Sequence, residues 1–119
     1  MTSPSTVRAS IVCLLPVRNG EQDLPGYLGA ASEWCDAVVA LDDGSTDGTR
    51  QLLEASPLVR VLLDNPPRDS FAGWHDGRNR ARLLEAAGDL APDWIISVDA
   101  DERIDAEDAA ALRDRKSVV

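Results

Sequence analysis

Apolar residues in this chain gather into four short runs, and the stretches between them carry apolar positions at helical spacing. The runs are Ile11 to Leu15, Ala37 to Leu41, Leu58 to Leu63 and Trp94 to Val98. Each is short, partly β-branched and free of strict polar alternation, the pattern of strands buried on both faces of a parallel sheet. Pro16 stops the first run because it cannot donate to a sheet ladder. Asp42, Asp43 and Gly44 stop the second, and Asp99 stops the fourth. Residues 23–34 set Leu24, Tyr27, Leu28 and Ala31 along one helical stripe, with Pro25 in the first turn, where a missing N–H does no harm. Residues 46–54 place Leu52 and Leu53 behind a start rich in Ser, Thr and Asp, with Ser45 or Thr46 as the expected cap. Residues 77–87 gather Ala81, Leu83 and Leu84 on one side. Residues 105–115 are Ala-rich, acid-led and basic-ended, which complements a helix dipole. The alternation of four strands with four helices predicts a three-layer α/β/α domain. A single domain suits 119 residues. It is expected to span residues 10–119, with the polar residues 1–9 as a flexible tail.

Charge and composition narrow the function classes. With 21 acidic and 12 basic residues the net charge is −9, which disfavours a general nucleic-acid binder, because phosphate contacts need clustered Lys and Arg. A phosphate ligand bridged through a divalent cation stays compatible with that charge. Lys116 is the only lysine, so a P-loop is excluded, and no Gly-x-Gly-x-x-Gly follows a strand. His75 is the only histidine and no Gly-x-Ser-x-Gly occurs, which disfavours serine-triad hydrolysis. Cys13 and Cys35, with no histidine cluster nearby, read as buried thiols rather than zinc ligands. No apolar stretch reaches the roughly 20 residues of a membrane span, and the first residues lack the apolar core of a signal peptide. The cytoplasm is therefore the expected compartment.

Ligands of open α/β sheets bind beyond the carboxyl ends of the strands. Here those exits are residues 16–19, 42–46, 64–67 and 99–102, and three of the four carry carboxylates. Chance alone would supply an Asp-x-Asp triplet in a chain this rich in aspartate. The information in Asp99 and Asp101 is their position at the end of a buried run, where uncompensated charge is expensive. A turn at that exit can swing both carboxylates onto one hard cation, Mn²⁺ or Mg²⁺, which keeps open positions for substrate phosphates. Helix capping by Asp101 or Asp105 is the other reading. Asp42 and Asp43 are not required by the capped turn that follows them, so at least one is expected to be free for a base or ribose. Arg78 either reaches a diphosphate or pairs with a rim carboxylate, while Arg80 and Arg82 are expected in solvent. Phe71, Trp74 and Trp94 read as core or loop anchors rather than a base-stacking platform, and His75 as a loop or cap residue.

Four blocks, taken together, resemble the family 2 glycosyltransferases of GT-A fold: Leu15 to Asn19, Val39 to Thr49 with its Asp-Asp-Gly-Ser-Thr-Asp-Gly-Thr core, Gly77 to Asn79, and Asp93 to Glu102. They follow the family's order over roughly residues 10–104, and their ending looks closest to the cell-surface-glycan branch. The resemblance implies a Rossmann-like, mainly parallel sheet, a nucleotide-diphosphate-sugar donor, commonly UDP-linked, and a divalent metal, Mn²⁺ or Mg²⁺. Carried over by position, Pro16, Val17, Arg18 and Asn19 would border the base and ribose, Asp42 or Asp43 would contact the base, and Arg78 would sit near the nucleotide. Asp99 would meet the ribose or the metal, and Asp101 would hold the metal that bridges the donor's diphosphate. The usual chemistry is a single displacement that inverts the anomeric carbon, with the metal as Lewis acid for the departing diphosphate.

Two departures from the family pattern matter. Arg18, Asn19, Gly20 and Glu21 stand where the family often has Tyr and then Asn-Glu, so an aromatic base wall is absent. The family's catalytic base and acceptor site lie in a second half with no counterpart before Val119, so the general base is expected beyond residue 119 and the match is to a truncated, donor-binding half. The acceptor, whether glycan or lipid, is not legible; peripheral attachment at the inner membrane face rests on family analogy, and the acidic surface argues against tight binding to anionic lipid. A second hypothesis is a non-catalytic nucleotide-sugar-binding or oligomerising module, in which an exposed sheet edge invites a homodimer.

Overall fold

The computed structural model describes residues 10–67 and 76–116. The tail assigned to residues 1–9, and the readings of Phe71, Trp74 and His75, lie outside them. The described chain alternates strictly: β1 (Ile11–Val17), α1 (Leu24–Ala31), β2 (Ala37–Asp43), α2 (Thr49–Ala55), β3 (Val59–Asn65), α3 (Asp76–Gly88), β4 (Trp94–Ser97) and α4 (Ala106–Lys116). The strands form one sheet in the order β3-β2-β1-β4, parallel at every pairing. All four carboxyl ends therefore open on a single rim.

Side chains alternate across this sheet and sort the helices into layers. Ile11, Cys13, Leu15 and Val17 of β1, with Val38 and Ala40 of β2, pack against Leu24, Tyr27 and Ala31 of α1, Leu53 of α2 and Ala109 of α4. Val12, Leu14, Val39 and Leu41 face the other way onto Leu83 and Ala87 of α3. The molecule is thus three layers, with α1, α2 and α4 on one face and α3 on the other. β1 and β2 read as near-continuous apolar runs because both their faces are covered. Cys13 and Cys35 are free and buried, as expected.

The outer strands depart from the expectation of burial on both faces. β3 is half-buried along most of its length, and β4 leaves Trp94 51% and Ile95 40% exposed. The reason is position: each has one strand neighbour, and α3 packs over β1 and β2 rather than β4. Trp94 is accordingly not a core anchor; it lines, with Ile11, Ile96 and Leu112, an apolar pocket of about 190 Å³ at the sheet edge.

Helix starts differ from the sequence reading in one place. Neither Ser45 nor Thr46 caps α2, which begins at Thr49 with Gly48, a residue without a side chain to offer, at the N-cap position. Asp47 serves instead, its Oδ1 accepting the Thr49 N–H at 2.9 Å and hydroxyl at 2.5 Å. At α4 the expected Asp105 cap is present, with Oδ1 accepting the Asp108 N–H at 2.8 Å. No helix of the described residues is long and apolar enough to cross a membrane.

Candidate functional site

The rim is built where β1 and β2 let go of the sheet. Val17 pairs in register with Asp42, so the two loops leave side by side. Asn19 takes φ 52°, a left-handed conformation that asparagine tolerates better than most residues. Its side-chain oxygen accepts the Thr46 N–H at 2.8 Å, and its own N–H donates to Ser45 Oγ at 2.9 Å. Gly20 N–H donates to Thr49 Oγ1 at 2.8 Å. Ser45 and Thr46 thus bind the neighbouring loop rather than their own helix. Gly20 is also tightly enclosed: a Cβ there would stand 2.6 Å from Val17 Cγ2 and 3.7 Å from Ala100 Cβ. That approach brings the β1 exit against the residue between Asp99 and Asp101. Of the residues expected to border a base, Val17 is buried at the floor, Pro16 and Arg18 are half-buried, and Asn19 is exposed.

Asp42 and Asp43 are consecutive on a strand and point to opposite faces. Both are buried, at 3% and 1% exposure. Asp42 Oδ1 accepts the Ser45 N–H at 3.1 Å, closing the turn in which Gly44 takes φ 70°. Asp42 is therefore part of the turn from which the sequence reading excused it. Asp43 turns toward α3, where Asn65 Nδ2 donates to its Oδ1 at 2.6 Å and to Asn79 Oδ1 at 3.1 Å. Asn65 Oδ1 in turn accepts from Arg82 at 2.6 Å. Asn79 is fully buried, and its Nδ2 has no hydrogen-bond partner among the described residues. This chain of Asp43, Asn65, Asn79 and Arg82 was not singled out by pattern, and it corrects the expectation of a solvated Arg82. Asn65 could have been found only by knowing that β3 pairs Asn65 with Asp43.

The fourth exit carries the acidic turn. Asp99 N–H donates to Glu102 Oε1 and Glu102 N–H to Asp99 O, each at 2.9 Å. The carboxylates of Asp99 and Asp101 are exposed and accept no hydrogen bond or ion pair from a described residue. Arg78 is likewise exposed, without a partner among the described residues. Arg80 donates to Asp76 at 3.2 Å and to Ser97 Oγ at 3.4 Å. Arg50 neutralises Asp64, and that pairing, with its bond to Glu54, holds the guanidinium well above its ordinary pKa.

Below the turn the environment is dry. Tyr27 hydroxyl donates to Val98 O at 2.7 Å and lies 3.0 Å from Cys13 Sγ. Burial pushes the Cys13 thiol up to about 11, against its hydrogen bonds with Tyr27 and the Val98 backbone, and drives the Tyr27 hydroxyl still higher. Both groups stay neutral hydrogen-bonding parts of the wall. Cys13 is no nucleophile here, since the thiolate is the reactive form.

Asp99 and Asp101 do not form a self-sufficient metal cage: among the described residues no three His, Cys, Asp or Glu side chains are grouped to hold an ion. Two exposed, unneutralised carboxylates do suit Mg²⁺ or Mn²⁺ of the kind completed by waters and substrate phosphates.

No protein-family profile matches the chain, and neither does any curated protein sequence. Among solved structures, S. aureus TarS 1–349 matches with a TM-score of 0.68 and 23% identity, covering 89% of this chain and 32% of that one. A longer S. aureus TarS structure matches with the same score and identity, with 20% of its length covered. TarS is a family 2 glycosyltransferase, and the present chain spans about a third of the shorter TarS structure. The parallel order, the helix layers and this likeness agree: the chain has a Rossmann-like α/β fold of the GT-A type.

Proposed function

We propose that this chain is the donor-binding region of an inverting glycosyltransferase, taking a sugar from a nucleotide-diphosphate-sugar, UDP-linked, to a glycan, lipid or other acceptor. The observation that carries the reading is the pair Asp99 and Asp101, exposed and without a partner among the described residues, on the same rim as the Asn19–Gly20 turn and the Asp42–Asp43 exit. In this reading Pro16 to Asn19 border the base and ribose, and Asp42 or Asp43 contacts the base. Arg78, free of described partners, meets the diphosphate as a fixed positive charge. Asp99 meets the ribose or the ion, and Asp101 holds the ion. A divalent metal bound there supplies Lewis acidity for the departing diphosphate. The buried turn of Asp42 and the Asn19 clamp hold the nucleotide's walls in place before it arrives, which limits the ordering cost of binding. No described residue is assigned as general base in this reading.

Calorimetric titration of UDP in Mn²⁺ and again in EDTA tests the reading. Metal-dependent binding is expected, and Asp101→Ala should abolish it. Unchanged affinity of Asp101→Ala in Mn²⁺ would remove the metal assignment. One observation favours the second reading, an oligomerising module without catalysis: β4 is an edge strand with Trp94 and Ile95 exposed. A homodimer through that edge would show in light scattering, and a monodisperse monomer would count against it.

A further inference from the structure

Arg103 lies two residues past Asp101, outside every motif noted in the sequence, yet its side chain hydrogen-bonds two carbonyls of the acidic turn. Its Nη1 donates to Ala100 O at 2.7 Å and to Glu102 O at 2.8 Å. Its Nη2 donates to Asp23 O at 2.9 Å, at the start of α1. The guanidinium sits over the Tyr27 ring, 5.7 Å from the centroid, within cation–π range. The same Tyr27 fixes Val98 O, the carbonyl immediately before Asp99. Room for the fork exists because α1 has Gly26 there: a Cβ would stand 3.2 Å from Arg103 Nη2.

We infer that Arg103 is a positioning residue for the proposed donor–metal site: its fork gathers the backbone on both sides of Asp101 onto α1 and so sets where the Asp99 and Asp101 carboxylates stand. This rests on the donor-binding reading. The charge is spent on carbonyl oxygens below the turn, so it steadies the loop without making an ion pair with either carboxylate. Ala100 O is the carbonyl between the two acids, and Glu102 O follows the second. Holding both removes the main freedom by which a four-residue turn could change the spacing of its carboxylates. A lysine cannot reproduce this, because one ammonium point charge does not span three carbonyls in a fixed plane.

The test measures UDP affinity in Mn²⁺, with melting temperature in parallel, for the unaltered chain, Asp101→Asn, Arg103→Lys, Arg103→Met and Asp105→Ala. Loss of an orienting outer partner typically lowers metal affinity by roughly 10–100-fold, and that loss is expected for both Arg103 variants. Asp105→Ala weakens the start of α4 without touching the turn's carbonyls, so it should melt earlier and bind as the unaltered chain does. Arg103→Lys keeps charge and stem, so it remains informative if Arg103→Met does not fold. Full affinity in Arg103→Lys, or an equal loss in Asp105→Ala, would overturn the inference. Failure of the donor reading looks different: no metal-dependent binding in the unaltered chain, or none lost in Asp101→Asn.

Discussion

Replacing Asn65 by alanine isolates the polar chain that runs from β2 to α3. Asn65 donates to the buried Asp43 carboxylate at 2.6 Å and to Asn79 at 3.1 Å, and it accepts from Arg82. A hydrogen bond to a charged group contributes about 1.5–3 kcal/mol, and stranding a buried polar group costs about 1–3 kcal/mol. Asn79 is 0% exposed and its Nδ2 has no partner among the described residues, so losing the bond to its Oδ1 leaves the amide with no described partner at all. The terms share partners and do not add fully; a loss of about 3 kcal/mol is expected. Urea unfolding followed by the fluorescence of Trp34, which is 1% exposed, reads it directly. The slope against urea should stay unchanged, since the surface exposed on unfolding is nearly the same. Asn65→Asp keeps the size and removes the donor, so it should be no more stable than the alanine variant at neutral pH. A loss under about 0.5 kcal/mol, the range of ordinary surface changes, would refute the claim that Asn65 supports Asp43.

Two further outcomes follow from neighbouring features. Tyr27→Phe removes the hydroxyl that satisfies Val98 O at 2.7 Å and should cost about 2 kcal/mol in the same urea experiment; a silent substitution would mean that Val98 O finds another donor. Asp47 is held below the usual carboxylate range: partial burial opposes its charge, but bonds from the Thr49 hydroxyl and N–H and the Glu21 N–H outweigh that. Because its folded pKa is depressed, its contribution is present above the unfolded value near 3.9 and disappears as pH falls through the folded one. Asp47→Ala should therefore destabilise by about 1 kcal/mol at pH 7, and the gap to the unaltered chain should close below about pH 4. A gap independent of pH between 7 and 3 would assign the loss to something other than the carboxylate.

Much of the fold was legible because strand and helix periods leave separate marks. The apolar runs located the strands and the helical stripe from Leu24 to Ala31 located α1, but the expected stops at Pro16 and Asp42 did not hold: β1 pairs on to Val17 and β2 to Asp43, because parallel pairing between the two strands continues through the rim. Edge status was not legible: Trp94 to Val98 reads as apolar as Ile11 to Leu15, and only the sheet order tells which run has a neighbour on each side. The acidic rim was visible as residue types at strand ends. The side chains that hold it were not, because Asn65, Arg82 and Arg103 act through partners 14 to 80 positions away. Capping by Ser45 or Thr46 failed for a related reason, since Asn19 of the adjacent loop competes for their polar groups.

The two acidic exits stand on elements of very different depth. Asp42 and Asp43 end a strand buried along its whole length between two neighbours, whereas Asp99 and Asp101 follow a four-residue strand with one neighbour and exposed side chains. Local opening begins where few apolar contacts must be broken. β4 can therefore part from β1 while β1 and β2 stay closed, taking the acidic turn out of register without unfolding the core. Amide hydrogen exchange would record this as weak protection from Trp94 to Val98 beside strong protection from Val38 to Leu41. A donor and ion bound across the rim would tie the turn to the deeper strands, and the slowing of exchange in β4 would report their presence.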